Sequence, residues 1–301
     1  MLHDEPELFE QVILRTSEFL GIKAEIIEKD YYVTIFLKEL VHVAPYIIFK
    51  GGTSLSKCYH LIERFSEDID LNIDTAQRPS EGQRRQLKKD IIHVVNHFGF
   101  SVLNGEDIKS RRDYNRYIID FPSVLSASYL KERLIVETVV YQRAYPTVKM
   151  KADSLIYDYL SANGFSDFAE KYDLMPFELR VQTAERTLID KLYTLADYYL
   201  AGTTSEHSRH IYDIYKLLSV VEINPALKAL AINVANERRP HIRCLSVQEG
   251  VNIKQVLMKI INQQTYREDY ENITQSLLFE NIPYDIAIQA IQTIIDSELF
   301  E

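Results

Sequence analysis

The chain has 301 residues, 46% of them apolar and 26% charged, with a formal net charge of −10. This balance is that of a soluble globular protein with one large domain or two smaller ones. It excludes a helical membrane protein, because no run approaches the roughly 18 consecutive apolar residues of a span. The acidic charge also argues against broad, sequence-independent nucleic-acid binding, which depends on neutralising many phosphates. A single RNA end docked on a local basic patch stays compatible with it, as does a basic partner protein. Two isolated cysteines, Cys58 and Cys244, make neither a disulfide framework nor a zinc site. With an acidic N-terminus lacking a signal-peptide pattern, the expectation is a cytoplasmic protein with reduced thiols.

Glu5 to Leu20 places Phe9, Val12, Ile13 and Thr16 at helical intervals, and Gly21 stops the helix. A second helix is predicted from Ala24 to Val41, with Ile26, Val33, Phe36, Leu37 and Leu40 as its buried stripe. Near its start, Glu28, Lys29 and Asp30 read as a solvated first turn whose acids suit the helix dipole.

Tyr46 to Phe49 is a short apolar run that suits a buried strand, and Gly51-Gly52 breaks it, letting the backbone approach a ligand. A helix is predicted from Thr53 to Phe65, with Thr53 or Ser54 as its N-cap. Phe65 to Ile73 then alternates: Ile69, Leu71 and Ile73 share one face, Asp68, Asp70 and Asn72 the other. Two carboxylates at i and i+2 on a strand point the same way, their Cα atoms about 6–7 Å apart. Such an oxygen-only pair favours Mg²⁺ or Mn²⁺ over zinc. The Gly51-Gly52-Thr53 turn opens a helix whose free N–H groups suit a phosphate. A phosphate cradle beside an acid pair is what phosphoryl or nucleotidyl transfer requires.

Farther along, Glu81 to Phe98 is an amphipathic helix with Arg84, Arg85, Lys88 and Lys89 on its polar side, and Lys109, Arg111, Arg112 and Arg116 form a second basic cluster. Each is either a solvated face or an RNA contact. Tyr117–Phe121 and Leu134–Tyr141 read as strands; Glu137, the single acid inside the second, either faces water at a sheet edge or needs a charged partner. Residues 148–174 are poorly patterned and read as an insertion or a linker. Phe177 to Gln182 is a further strand, and Thr183 caps a helix to about Leu200 with Lys191 beside its apolar stripe. The next helix, Glu206 to Val220, sets Arg209 and Asp213 one turn apart, the spacing of an ordinary intrahelical ion pair. Helices alone follow Pro225.

Gly51-Gly52-Thr53 followed one helix later by Asp68-Ile69-Asp70 resembles the signature of the polymerase-β-type nucleotidyltransferase superfamily, and more narrowly the AbiEii/AbiGii toxin family of bacterial toxin–antitoxin and phage-defence systems. Glu28-Lys29-Asp30-Tyr31, the block Glu185 to Leu192 and the block Arg209 to Tyr215 support the narrower match. The resemblance implies an α+β fold: a small mixed sheet flanked by helices in an N-terminal lobe (1–175) and a mostly helical lobe (176–301), with the active site between them. It implies that Asp68 and Asp70, with Glu137 third, hold Mg²⁺ or Mn²⁺, and that Gly51, Gly52, Thr53 and Ser54 cradle the phosphates of an NTP. Lys191 is implied as a catalytic and nucleotide-binding residue, with Asp213 orienting it. The implied partners are a tRNA or other RNA end as acceptor and a cognate antitoxin. Transfer to a protein or small molecule is the alternative chemistry, and a non-catalytic interaction protein on a degenerate fold the alternative class; Mg²⁺-dependent NTP binding discriminates the last.

Overall fold

The computed structural model describes residues 1–66, 68–125 and 133–300, and the chain divides into two units. One comprises residues 1–59 and 66–181; the other comprises residues 60–65 and 182–301. The expected boundary at 175/176 differs from this division twice. The last strand, Phe177–Gln182, belongs to the sheet, and His60–Phe65 is grouped with the C-terminal helices.

The first unit is the α+β fold expected. Its strands are β1 (Ile47–Lys50), β2 (Asp68–Ile73), β3 (Ser101–Val102), β4 (Tyr114–Asp120), β5 (Arg133–Val139), β6 (Thr147–Ala152) and β7 (Phe177–Gln182), in the sheet order β3-β4-β5-β2-β1-β7-β6. β2 pairs antiparallel with β1 and parallel with β5, so the sheet is mixed. One face of it is apolar: Phe49, Ile69, Leu71, Tyr117, Ile119, Leu134, Val136 and Val181 are buried in a single core. That core is shared with α1 (Pro6–Leu20), α2 (Ala24–Val43), α4 (Glu81–His97) and α5 (Leu155–Ala162). Gly21 ends α1 in the left-handed conformation, and Ser80 with Gln83 closes a capping box on α4.

Three local expectations change. The helix after the glycines, α3, spans only Gly51–Lys57, and the strand predicted from Phe65 begins at Asp68; Glu67 lies outside the described residues. Residues 147–174 are not a linker: they form edge strand β6, α5 and α6 (Ser166–Lys171), with Ile156, Leu160, Ala169 and Leu174 in the core. Their pattern is weak because the helices are short and β6 presents Lys149 and Lys151 outward at the sheet's edge. The third change concerns Glu28 and Asp30, which are not a solvated turn. Glu28 is buried and accepts from Ser123 Oγ and the Val124 N–H, both at 2.7 Å. Asp30 accepts from Lys57 Nζ at 2.6 Å and from the Leu155 N–H at 2.8 Å, tying α2 to the end of α3 and the start of α5.

The second unit is helical: α7 (Ala184–Ala201), α8 (Arg209–Leu217), α9 (Pro225–Arg238), α10 (Ile253–Asn262) and α11 (Gln289–Asp296), with shorter turns between. α8 starts three residues later than expected. Thr183 caps α7 by accepting from the Arg186 N–H, and Leu188, Leu192 and Leu195 form its buried stripe. The 60–65 segment is fastened here by a bridge between Arg64 and Leu278 and by Phe65 N–H donating to the Leu277 carbonyl at 2.9 Å. Among the described residues no helix is long and apolar enough to cross a membrane.

Lys57 is almost wholly buried, so its ammonium depends on Asp30 and Thr34 for partners. Asp30→Ala should lower the unfolding free energy by about 3–5 kcal/mol, the cost of stranding a buried charge. Urea denaturation checks this, and adding Lys57→Met should recover part of the loss.

Candidate functional site

Alternation along β2 turns Ile69 and Leu71 into the core and leaves Asp68 and Asp70 together on the opposite face, both half-buried. The ladder then assembles a row across four strands. Lys50 of β1 pairs with Asp70, Asp70 with Glu137 of β5, and Glu137 with Arg116 of β4. Directly paired residues share a face, so these four side chains belong to one side of the sheet. Lys50 was not singled out from sequence; only the strand register shows that it stands beside Asp70.

The glycine turn meets this row at Asp70. Gly51 has φ +78°, a conformation other residues rarely adopt. A Cβ there would fall 2.8 Å from the Asp70 carboxyl carbon and closer still to Oδ2. Only a residue without a side chain lets backbone and carboxylate stand this close. The hydroxyls that follow are turned inward: Thr53 Oγ1 donates to the Asp68 carbonyl at 2.6 Å and lies 2.9 Å from Ser66 Oγ, while Ser54 Oγ donates to the Gly51 carbonyl at 2.8 Å. Neither Thr53 nor Ser54 is the N-cap, since the helix opens at Gly51. They brace the turn against β2.

Glu137 has the charged partner its buried strand demanded. Arg116 Nε lies 3.5 Å from its Oε1, and Tyr114 Oη donates to the same oxygen at 2.9 Å. Burial, and then the charges of Glu137 and Asp70, push the Tyr114 hydroxyl well above its ordinary pKa, so it stays a donor. Among the described residues no group of three or more His, Cys, Asp or Glu is gathered closely enough to hold a metal by itself. The donor set nonetheless fits a hard divalent cation. Mg²⁺ characteristically takes one or two carboxylates and fills its remaining positions with water and substrate phosphates.

The second unit holds a separate charged cluster. Asp213, fully buried on α8, accepts from Arg64 Nε at 2.7 Å, from Arg64 Nη2 at 2.8 Å and from Lys191 Nζ at 2.5 Å. Its partner is therefore not Arg209 one turn earlier, as spacing suggested, but two cations distant in sequence. Burial raises the Asp213 pKa, but the Arg64 and Lys191 charges more than reverse this and hold it well below the usual carboxylate range. Lys191 is held below its ordinary value, first by burial and further by Arg64, with Asp213 opposing. The two directions agree physically: two cations share one anion, and Lys191 is left short of counter-charge. Arg64 was missed from sequence because its partner is 149 residues away. Its only local signal was a lone arginine beside Phe65 at the end of an apolar stretch.

The two groups thus sit in different units: Gly51, Gly52, Thr53, Ser54, Asp68, Asp70 and Glu137 gather in the first, Lys191 and Asp213 in the second. The basic clusters are largely engaged within the chain. Arg84 binds Asp113 at 2.6 Å, Arg85 binds Glu81 at 3.0 Å, and Lys88 and Arg112 donate to the Ile108 and Asp107 carbonyls.

Two substitutions probe these groups. Gly51→Ala should destabilise the protein more than Gly21→Ala. Both positions have positive φ and carry about 1–3 kcal/mol of backbone strain, but a Cβ at 21 meets nothing within 4 Å. Thermal unfolding of the pair isolates the collision with Asp70. Asp213→Asn should cost about 3–5 kcal/mol at neutral pH, because it leaves Arg64 and Lys191 buried without their anion. Since Asp213 is depressed in the folded state, its contribution is present above the unfolded carboxylate value near 3.9 and fades as pH falls below it. The stability gap between wild type and Asp213→Asn should therefore shrink in urea titrations from pH 6 down to pH 2.

Compared with models of known families, residues 35–296 match the one described as nucleotidyl transferase AbiEii toxin, type IV TA system. No curated protein matches the chain.

Proposed function

We propose that this chain, which belongs to the AbiEii nucleotidyl transferase toxin family, transfers a nucleoside monophosphate from an NTP to an acceptor hydroxyl and does so with Mg²⁺ or Mn²⁺. The observation that carries the reading is the Asp70 carboxylate packed against the Gly51 backbone. In this reading it brings a turn that would bind an anion beside an acid that would bind a cation, as transfer of a triphosphate's α-phosphoryl group requires.

In this reading the backbone N–H groups of Gly51, Gly52 and Thr53, with Ser54 bracing the turn, hold the β- and γ-phosphates. Asp68 and Asp70 would hold the divalent ion, with Glu137, now bonded to Arg116 and Tyr114, as the third acid on the neighbouring strand; when bound the ion would offset phosphate charge and favour ionisation of the acceptor hydroxyl. The acceptor oxygen forms a bond to the α-phosphorus, the bond from that phosphorus to the bridging oxygen breaks, and pyrophosphate leaves. An aspartate of the pair takes the hydroxyl proton. Lys191 offsets the growing charge on the phosphates. Asp213 and Arg64 fix its position, and Arg64 leaves that cluster with one positive charge in excess.

The family description, type IV TA system, supports a role as the toxin half of a toxin–antitoxin pair with a cognate antitoxin. The chain's acceptor is then an RNA end such as tRNA, its setting phage defence, and its compartment the cytoplasm, consistent with two free buried cysteines. Transfer to a protein or small molecule is the second reading. It is favoured by basic side chains already committed to partners within the chain and by the net charge of −10.

Incubation of the protein with labelled NTPs, Mg²⁺ and total RNA should label RNA, and Asp68→Ala or Asp70→Ala should each reduce labelling by at least about 10²-fold. Sensitivity of the product to RNase or to protease assigns the acceptor. Absence of label on any RNA, protein or small molecule would sink the enzymatic reading.

A further inference from the structure

In the first unit a groove of about 560 Å³ runs between α1 and the 159–168 stretch of α5 and α6. Val12 and Leu160 in its lining are buried, whereas Leu14 and Phe165 are left 50% and 48% exposed. Phe165 continues through Tyr159 to Phe19, with successive ring centroids 6.2 and 5.6 Å apart, and Phe19 is exposed as well. Large apolar side chains bared together around one concavity mark a surface that binds something. The two stretches that build the groove, 6–20 and 155–171, carry six acids and only two bases. Both bases are already engaged, Arg15 with Glu18 at 3.3 Å and Lys171 with the Tyr172 hydroxyl at 2.9 Å. The chemistry that fits is an apolar side chain flanked by positive charge.

The second unit presents a segment of that kind. After α9 the chain reads Arg239-Pro240-His241-Ile242-Arg243, and Ile242 is 86% exposed, the barest large apolar side chain among the described residues. Arg239 and Arg243 on either side are also exposed. The loop that carries them is fastened from below. The Gln248 side-chain amide reaches the carbonyls of Arg239, His241 and Cys244 at 3.2, 3.3 and 2.9 Å, and Arg239 Nε donates to the Val247 carbonyl at 3.2 Å. A side chain held out on an ordered loop gives up little freedom when it is buried by a partner.

We propose that the groove of one copy of this chain receives the 239–243 loop of a second copy, with Ile242 seated against Leu14 and Phe165 and the arginines facing the acids. At a net charge of −10 per chain, copies repel one another unless opposite charges meet locally, and this pair of surfaces supplies them. The inference does not depend on the transferase reading. The contact is directional: either two copies exchange loops about a two-fold axis, or each copy passes its loop to the next. In both arrangements a variant without the isoleucine still offers a groove, and a variant with a damaged groove still offers the loop.

Sedimentation of the full chain over roughly 5–500 µM, a range suited to a small interface, should show the mean mass rising with concentration. Ile242→Ser and Phe165→Ser should each weaken this association by about 10- to 150-fold, the loss of one buried apolar side chain. Both positions are exposed in the single chain, so neither change opens the core. Mixing the two variants should restore a one-to-one pair, which also shows that both are folded. Mixing Phe165→Ser with Leu14→Ser, two damaged grooves, should restore nothing. Raising salt from about 0.05 to 0.5 M should weaken wild-type association by screening the acids and arginines. A wild-type chain that stays monomeric throughout, or a mixture of Ile242→Ser and Phe165→Ser that stays apart, overturns the proposal. Association lost in Phe165→Ser but untouched in Ile242→Ser gives the groove to a different segment and overturns it equally.

Discussion

The Asp70 carboxylate occupies the space where a side chain on residue 51 would stand, and the acid-bearing face of the first unit is arranged around that contact. β2 must run beside β1 in the register that pairs Lys50 with Asp70, or the acid would not reach the turn. The turn must be glycine, because both its positive φ and the proximity of the carboxylate exclude a Cβ. Thr53 must bond back to the Asp68 carbonyl to hold α3 against the strand it precedes. None of these requirements involves strong individual bonds. They follow from one steric condition that a mixed sheet with a buried apolar face can meet.

That sheet keeps carboxylates close together on one face. Its apolar face is sealed by α1, α2, α4 and α5, leaving the opposite face for Lys50, Asp70, Glu137 and Arg116 in one row. The two paired acids are flanked by a cation on either side, Lys50 beside Asp70 and Arg116 beside Glu137, which offsets repulsion between them. Tyr114 and Arg116 hold Glu137 in that row.

Asp213 plays the corresponding part in the second unit, by charge in place of shape. A carboxylate with no exposure is tolerable only if paired, and here it is paired twice. The forked guanidinium of Arg64 fixes both oxygens, and Lys191 takes one of them as well. Burial costs Lys191 some of its hold on its proton, and Arg64 adds to that cost.

Patterns with a short period were readable along the chain: the alternation that separates Asp68 and Asp70 from the core, the glycine break before them, the stripes of α1, α4 and α7, and the Thr183 cap. Each is set by residues within a turn or two of one another, where backbone geometry alone decides which side chains share a face. Pairings across the fold were not readable. Arg64 and Asp213, Lys57 and Asp30, and Glu28 and the 123–124 backbone meet only because separate elements pack; in their own segments Glu28 and Asp30 read as a solvated turn and Asp213 as one end of an intrahelical ion pair. The short elements between 147 and 174 were hidden for a related reason, since helices this brief owe their stability to packing on α1 and α2 rather than to their own periodicity. Local sequence thus settled which faces carry acid and which carry oil, while the partners of Glu28, Lys57, Arg64 and Asp213 were decided by packing, because a charge leaves water only where the assembled chain supplies its opposite.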